Sequence, residues 1–301
     1  MSIVIKVFGG GLVGVLAVGL FGCGYLFPST FHSPNPYSDL YKAKDLRDRG
    51  KYKAALAKYE KVSKKHPQTA FGRKVIDVEF PTGLKYDIAF CYAKLAETEG
   101  DVSFYIKAEA AARESYQTAI HPFDQADAIY LWGYILFKQE HYEEARAKFE
   151  ALLEILQQNE YESDFTADTF FALGKTYLEL ADKCAAQRVF AQLEARIETL
   201  LPSYDRAEAL YPLGKVYLEL GDAVAAQRVF AKFEVRVEAD LREFGYHFLG
   251  IDFYEETLFG LGEVYLELGD EVAAQRVFGR LLVHFPDTSY KSEVQRLLEK
   301  Q

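Results

Sequence analysis

Apolar and polar positions divide this chain into two regimes. Over residues 7–27 nothing is charged and Val, Leu, Phe and Gly predominate, with Lys6 and the terminal amine the only positive groups ahead of them. A short positive region followed by an apolar stretch has the order of a secretory leader. The same 21 uncharged residues are also just long enough to cross a bilayer core as an uncleaved anchor. Five glycines between positions 9 and 19 weaken such a helix, each by about 1 kcal/mol against alanine. Residues 1–22 are therefore expected to be a signal peptide or a membrane anchor. Pro28, Pro34 and Pro36 exclude a regular helix from the segment after the leader, so residues 23–36 read as an extended tether.

From residue 37 onward apolar residues recur at helical spacing and the pattern repeats itself. Leu173-Gly174-Lys175-Thr176-Tyr177-Leu178-Glu179-Leu180 nearly coincides with residues 213–220 and 261–268, and each stretch is followed closely by Ala-Ala-Gln-Arg-Val-Phe, starting at Ala185, Ala225 and Ala273. Twelve residues separate Gly174 from Ala186, Gly214 from Ala226, Gly262 from Ala274, Gly133 from Ala145 and Ala43 from Ala55. A fixed interval between two small residues predicts a hairpin of antiparallel helices, with turns at Gly50, Gly221-Asp222 and Gly269-Asp270. Gly174 would let the helices close up, Ala186 would face it, and Tyr177 and Phe190 would fill the space around them. In one hairpin the small residues, Ala89 and Ala112, lie twenty-three apart, which predicts an insertion of eleven residues around positions 99–108. Small positions at 43, 89, 133, 174, 214 and 262 thus mark six hairpins, at about 37–68, 80–122, 126–158, 167–202, 207–244 and 255–286. A capping helix is expected at 288–301. The surplus length falls after the second helix begins, so these helices are expected to be long, one of them running until Pro202. No strand-like alternation is needed, and residues 37–301 are expected to form an all-α solenoid in which each hairpin buries its apolar face against the next.

The order L-G-x-x-Y, a small Ala and an aromatic residue four positions on resembles the tetratricopeptide repeat (TPR). Leu20-Phe21-Gly22-Cys23 resembles the lipobox of bacterial lipoproteins, which implies cleavage before Cys23 and its acylation, palmitate being the kind of chain added. A lipobox followed by TPR hairpins that end in His66-Pro67-Gln68-Thr69 or Phe285-Pro286-Asp287-Thr288-Ser289-Tyr290 is similar to the BamD/ComL outer-membrane assembly lipoproteins. That resemblance implies a non-catalytic scaffold in a multi-protein cell-envelope complex. It would be membrane-anchored and face the periplasm, from the outer membrane rather than the inner one.

In TPR arrays the first helices line the concave face, and the residue three before the small position points inward. Here those residues are Leu40, Tyr86, Tyr130, Phe171, Tyr211 and Phe259, and six before it stand Asp127, Asp168, Glu208 and Glu256 in the last four repeats. An aromatic stripe edged by carboxylates suits an extended or helical protein segment with apolar and basic side chains. Alternatively the rings pack between neighbouring helices and the acids solubilise their rim. Residues 244–253 form a second candidate contact, an aromatic loop carrying Phe244, Tyr246, Phe248 and Phe253.

Composition narrows the classes further. Half the residues are apolar and 15% aromatic, as in folded proteins. A net charge of −10 argues against a nucleic-acid partner, which needs clustered Lys and Arg. That charge is unevenly placed: residues 1–41 are neutral, residues 42–74 carry +9, and the remainder carries −19. The basic hairpin beside the leader suits an anionic membrane surface, or is simply a solvated helix pair. Three cysteines exclude a disulfide scaffold. Cys184 aligns with Val224 and Val272, which predicts a small buried apolar role for it, as for Cys91. The six histidines are scattered, no catalytic or phosphate-binding motif is present, and neither metal, cofactor nor small-molecule substrate is expected. Gln187-Arg188, Gln227-Arg228 and Gln275-Arg276 read as the imprint of recent duplication rather than a ligand-binding ladder. The leading expectation is a membrane-tethered scaffold without catalysis. A rigid subunit of a permanent or self-associating assembly, and a glycan- or peptidoglycan-binding envelope protein, are the alternatives.

Overall fold

Small residues seven positions before a left-handed turn are what shape this chain. The structure, a computed structural model, describes residues 4–8, 11–15, 36–65, 83–119, 121–158, 164–200, 205–244 and 251–299. Among them six helix pairs succeed one another: α1 (Pro36–Asp48) with α2 (Tyr52–Lys65), α3 (Leu84–Glu99) with α4 (Ser103–Thr118), α5 (Pro122–Lys138) with α6 (Tyr142–Gln158), α7 (Asp164–Glu179) with α8 (Lys183–Leu200), α9 (Asp205–Glu219) with α10 (Ala223–Phe244), and α11 (Ile251–Glu267) with α12 (Glu271–His284). A last helix, α13 (Lys291–Glu299), comes after α12. Pro36 opens α1, a place where its missing N–H costs nothing.

Each pair is joined by a three-residue turn that needs one residue with positive φ. Glycine supplies it at Gly50, Gly100, Gly221 and Gly269, but Glu140 (φ 63°) and Ala181 (φ 59°) occupy the same place in two turns. The second helices are long where the spacing predicted, α8 having 18 residues and α10 having 22.

Above the turns the helices close on an aromatic ring. A Cβ added at Gly133, Gly174, Gly214 or Gly262 would lie less than 3.0 Å from ring carbons of Phe149, Phe190, Phe230 or Phe278 respectively. The group that requires glycine is therefore this phenylalanine, four residues past the small alanine, and not Ala186 or its counterparts. Those alanines are fully buried beside it.

The insertion expected around positions 99–108 is helical. Gly100 stands eleven residues after Ala89, whereas Gly50, Gly221 and Gly269 stand seven after their small residues. Thus α3 carries one extra turn, and α4 begins three residues after the glycine, leaving Val102 and Ile106 exposed at the tip. Ala108 is as fully buried as Ala112, so an alanine-rich helix offers two small positions one turn apart, and the more distant one overstated the insertion.

The described helical residues fall into two compact units, residues 21–193 and residues 194–301, the second also counting residues 1–20, with the boundary inside α8. In the first unit α2 packs on α3, α4 on α5 and α6 on α7, while the first helices α3, α5 and α7 touch in sequence. In the second, α9 packs on α10, α11 on α12 and α12 on α13. Outside the repeats, β1 (Val4–Phe8) and β2 (Gly11–Val15) pair antiparallel, Val4 opposite Val15 and Phe8 opposite Gly11. A helix over residues 7–27 is thus not what the start of that stretch forms. Its β-branched residues and the intervening glycines favour a hairpin. Among the described residues no helix is long and apolar enough to cross a membrane.

Candidate functional site

Four of the aromatic residues picked out three positions before a small residue have one side committed to packing inside their own hairpins. Tyr130 lies 6.0 Å from Phe149 and Phe171 lies 6.1 Å from Phe190, ring centre to ring centre, each pair within one hairpin. In the second unit Tyr211 meets Phe230 and Phe259 meets Phe278 at 6.1 and 6.0 Å. Phe171 and Leu40 are consumed by the core. Tyr86, Tyr130, Tyr211 and Phe259 keep part of their surface open. Two of these have further neighbours. Tyr290 stacks on Phe259 at 4.3 Å, and the Tyr211 hydroxyl sits so near Gly260 that a Cβ there would lie 2.5 Å from it.

The carboxylates fall beside these rings rather than along a separate rim. Burial, and then the charge of Asp127, raises the Tyr86 phenol; burial, and then Asp168, raises that of Tyr130. Tyr211 is pushed up to about 12 by burial and by Glu263, Glu256 and Glu267. Tyr86, Tyr130 and Tyr211 therefore each neighbour an acid of the following repeat. Glu256 is exposed, Asp168 half-buried, and Asp127 and Glu208 buried. Burial, with Asp124 adding to it, pushes the Asp127 carboxyl up to about 8.

The first helices α1, α3 and α5 are also linked by charged and polar side chains. Arg47 of α1 reaches the buried Asp87 of α3 and lies 5.9 Å from the Phe90 ring centre. Lys94 pairs with Glu97 at 2.8 Å, and the Tyr134 hydroxyl donates to the same Glu97. Tyr130, Tyr134 and Phe137 of α5 remain half-buried on one helix stripe, a row of ring surface.

The Gln-Arg repeats have a structural task that duplication alone did not reveal. Arg228 donates to both oxygens of Glu194 at 2.9 and 2.8 Å, with Lys232 and the Tyr217 hydroxyl on the same carboxylate. Arg276 does the same to Glu234 at 3.0 and 2.9 Å, joined by Arg280 and Tyr265. Burial alone would raise the Glu194 carboxyl, but the hydrogen bonds and charges of Arg228 and Lys232 hold it down to about 2. The signal was in the sequence: Glu194 and Glu234 both stand eight residues after the small alanine of the preceding repeat. Arg188, the third copy, is exposed and has no ion pair among the described residues.

Other predicted residues fare differently. Cys91 is buried but Cys184 is exposed, and Val224 and Val272 in its column are each 75% exposed. The alignment of that column was right, and its side of the helix is the outer one. Phe244 ends α10 and Phe253 lies in α11, where it meets Tyr254 edge-on at 5.4 Å. Tyr246 and Phe248 lie outside the described residues, as does Cys23. No group of His, Cys, Asp and Glu among the described residues is arranged to hold a metal ion.

Comparison with known proteins bears on the fold. The tetratricopeptide repeat family matches residues 127–155 and 256–288. No curated protein matches the chain in sequence. Among solved structures, a Podosopora anserina protein described as a kinesin light chain with nearly identical TPR-like repeats is similar, with 14% identity, a TM-score of 0.51, and coverage of 70% of this chain and 100% of that one. PilW, a widely conserved type IV pilus biogenesis factor, shows 18% identity and a TM-score of 0.51 over 87% of this chain and 98% of its own. The apo form of RapI shows 15% identity and 0.50 over 88% and 99%. With the glycine-on-phenylalanine contact repeated in four hairpins, these matches give the described helices the fold of tetratricopeptide-repeat hairpins.

Proposed function

We propose that the protein is a non-catalytic scaffold that holds a protein partner on its concave face within a bacterial cell-envelope complex, tethered to the membrane through its N-terminal segment. The observation that carries the binding role is the open stripe of Tyr130, Tyr134 and Phe137 on α5, flanked by Asp127 and Asp168. Half-buried rings beside carboxylates are adhesive surface for a segment with apolar and basic side chains. The tether rests on Leu20-Phe21-Gly22-Cys23 and the apolar stretch before it. PilW, which shares the repeat fold, is a pilus biogenesis factor, and that likeness is one of fold. The anchor is tested by the intact mass of the mature protein: loss of residues 1–22 with added acyl mass on Cys23 is expected, and a retained Met1 refutes lipidation.

A second reading, a subunit packed permanently into an assembly, is favoured by Val224 and Val235 on α10 and by Val272 and Val283 on α12, all more than 70% exposed. Light scattering separates the two. A monomer supports the partner-binding module, and a concentration-independent oligomer supports the packed subunit.

A further inference from the structure

Three of the buried carboxylates in this protein, Asp87, Glu234 and Asp240, are met by arginine, as is the less enclosed Glu194. Arg47 engages Asp87, Arg228 engages Glu194, Arg276 engages Glu234, and Arg236 engages Asp240. Asp127 departs from that pattern. It is 3% exposed, its Oδ1 is sealed from solvent with no hydrogen-bond partner among the described residues, and burial and Asp124 act on it without a cation among them. An unpaired buried carboxyl is costly, and its retention calls for an explanation.

The surroundings are those of a cation site. Tyr86 on α3 and Tyr130, one turn along α5 from Asp127, are half-buried and close enough to influence each other, and aromatic faces beside a carboxylate attract an ammonium or guanidinium. At the matching ring of the fifth repeat the chain supplies its own cation: Lys215, four residues after Tyr211, lies 5.8 Å from that ring centre. Four residues after Tyr86 and Tyr130 stand Phe90 and Tyr134 instead. The nearby lysines are engaged elsewhere, Lys94 with Glu97 and the Phe90 and Tyr134 rings, Lys138 over Tyr134 at 5.4 Å.

We propose that Asp127, with Tyr86 and Tyr130, receives an arginine or lysine side chain from a protein partner lying along the concave face, the incoming cation doing for Asp127 what Arg47 does for Asp87. Half-buried Asp124 and Asp168 add negative potential at the entrance, and the rings of Tyr134 and Phe137 offer surface for the residues flanking the cation. This assignment rests on the concave-face reading above and names the chemistry of the partner.

Peptides of about nine residues, long enough to span three helix-to-helix spacings when extended, test it. They are immobilised as pools with one central position fixed as Arg, Lys, Gln or Asp and the others randomised, and probed with the full chain. Arg and Lys pools are expected to retain the protein at least about tenfold better than Gln or Asp pools. That advantage disappears in Asp127→Asn and survives in Glu154→Gln, which removes an exposed carboxylate from α6. The asparagine keeps the shape of the side chain, and a cooperative circular-dichroism melt verifies that the variant folds. Equal retention of Arg and Gln pools, an arginine preference that persists in Asp127→Asn, or no retained pool at all overturns the assignment. Equal retention that falls in Tyr130→Ala leaves the concave-face reading standing while the cation site fails, so the two failures are distinguishable. Full competition by N-acetyl-arginine amide at the peptides' own concentration makes the site one for a small cation and overturns the protein partner.

Discussion

Glu140 and Ala181 sit where four other turns use glycine. A left-handed residue with a Cβ is strained by roughly 1–2 kcal/mol, and glycine gives part of that back as entropy of the unfolded chain. Glu140→Gly and Ala181→Gly are therefore expected to stabilise the protein by roughly 0.5–1 kcal/mol each, read as a raised denaturation midpoint. Asp127 imposes a cost of a different kind. Its folded carboxyl, pushed up to about 8 from 3.8, holds a proton that the unfolded chain releases, so its share of stability is present near pH 4 and is lost as pH rises through about 8. Asp127→Asn should lack that loss. The variant is expected to be more stable than the unchanged chain above pH 8, with the gap closing towards pH 4 in paired melts. Neither residue was conspicuous beforehand. Glu140 is an ordinary glutamate until its φ is known, and Asp127 was one acid of a row until its burial set it apart.

Among the elements, the Gln-Arg repeats give a graded test. Glu234 is the more deeply enclosed carboxylate and Glu194 the less, and Arg188 has neither. Arg276→Ala should therefore cost about 1–3 kcal/mol, Arg228→Ala less, and Arg188→Ala no more than about 0.5 kcal/mol, measured by denaturant titration. The pairs span 34 and 42 residues, a separation at which nothing in local spacing announces a contact. Pro212 sits inside α9, where it lacks the N–H that would bond to the fourth preceding carbonyl. Ala172 holds the same place in α7, so Pro212→Ala should raise the melting temperature. The hairpins themselves were legible because steric exclusion leaves a plain mark: a phenylalanine ring pressed on a helix permits only glycine there. The same ruler slipped in α4, where alanines at 108, 110, 111 and 112 give small size no unique position. It also failed for Cys184, because likeness between repeats reports equivalence and not which side of a helix is wet.

At the scale of the molecule, the charge is the property most changed by seeing the fold. The +9 carried by residues 42–74 is partly met by acids of the next hairpin, since Arg47 crosses to the buried Asp87 and Lys53 pairs with Glu99 at the surface. The acids of later repeats are likewise not all solvent-facing. Ring surface stays open along α5 at Tyr130, Tyr134 and Phe137, with Asp127 beside it. The central claim is that this stripe holds a protein partner. Mild cross-linking in the native host followed by purification of the full chain and of a Tyr130→Ala/Phe137→Ala variant tests it most directly. A discrete partner retained by the unchanged chain and lost from a variant of equal helicity is the result expected. Undiminished capture by the variant, or the absence of any partner, would contradict it.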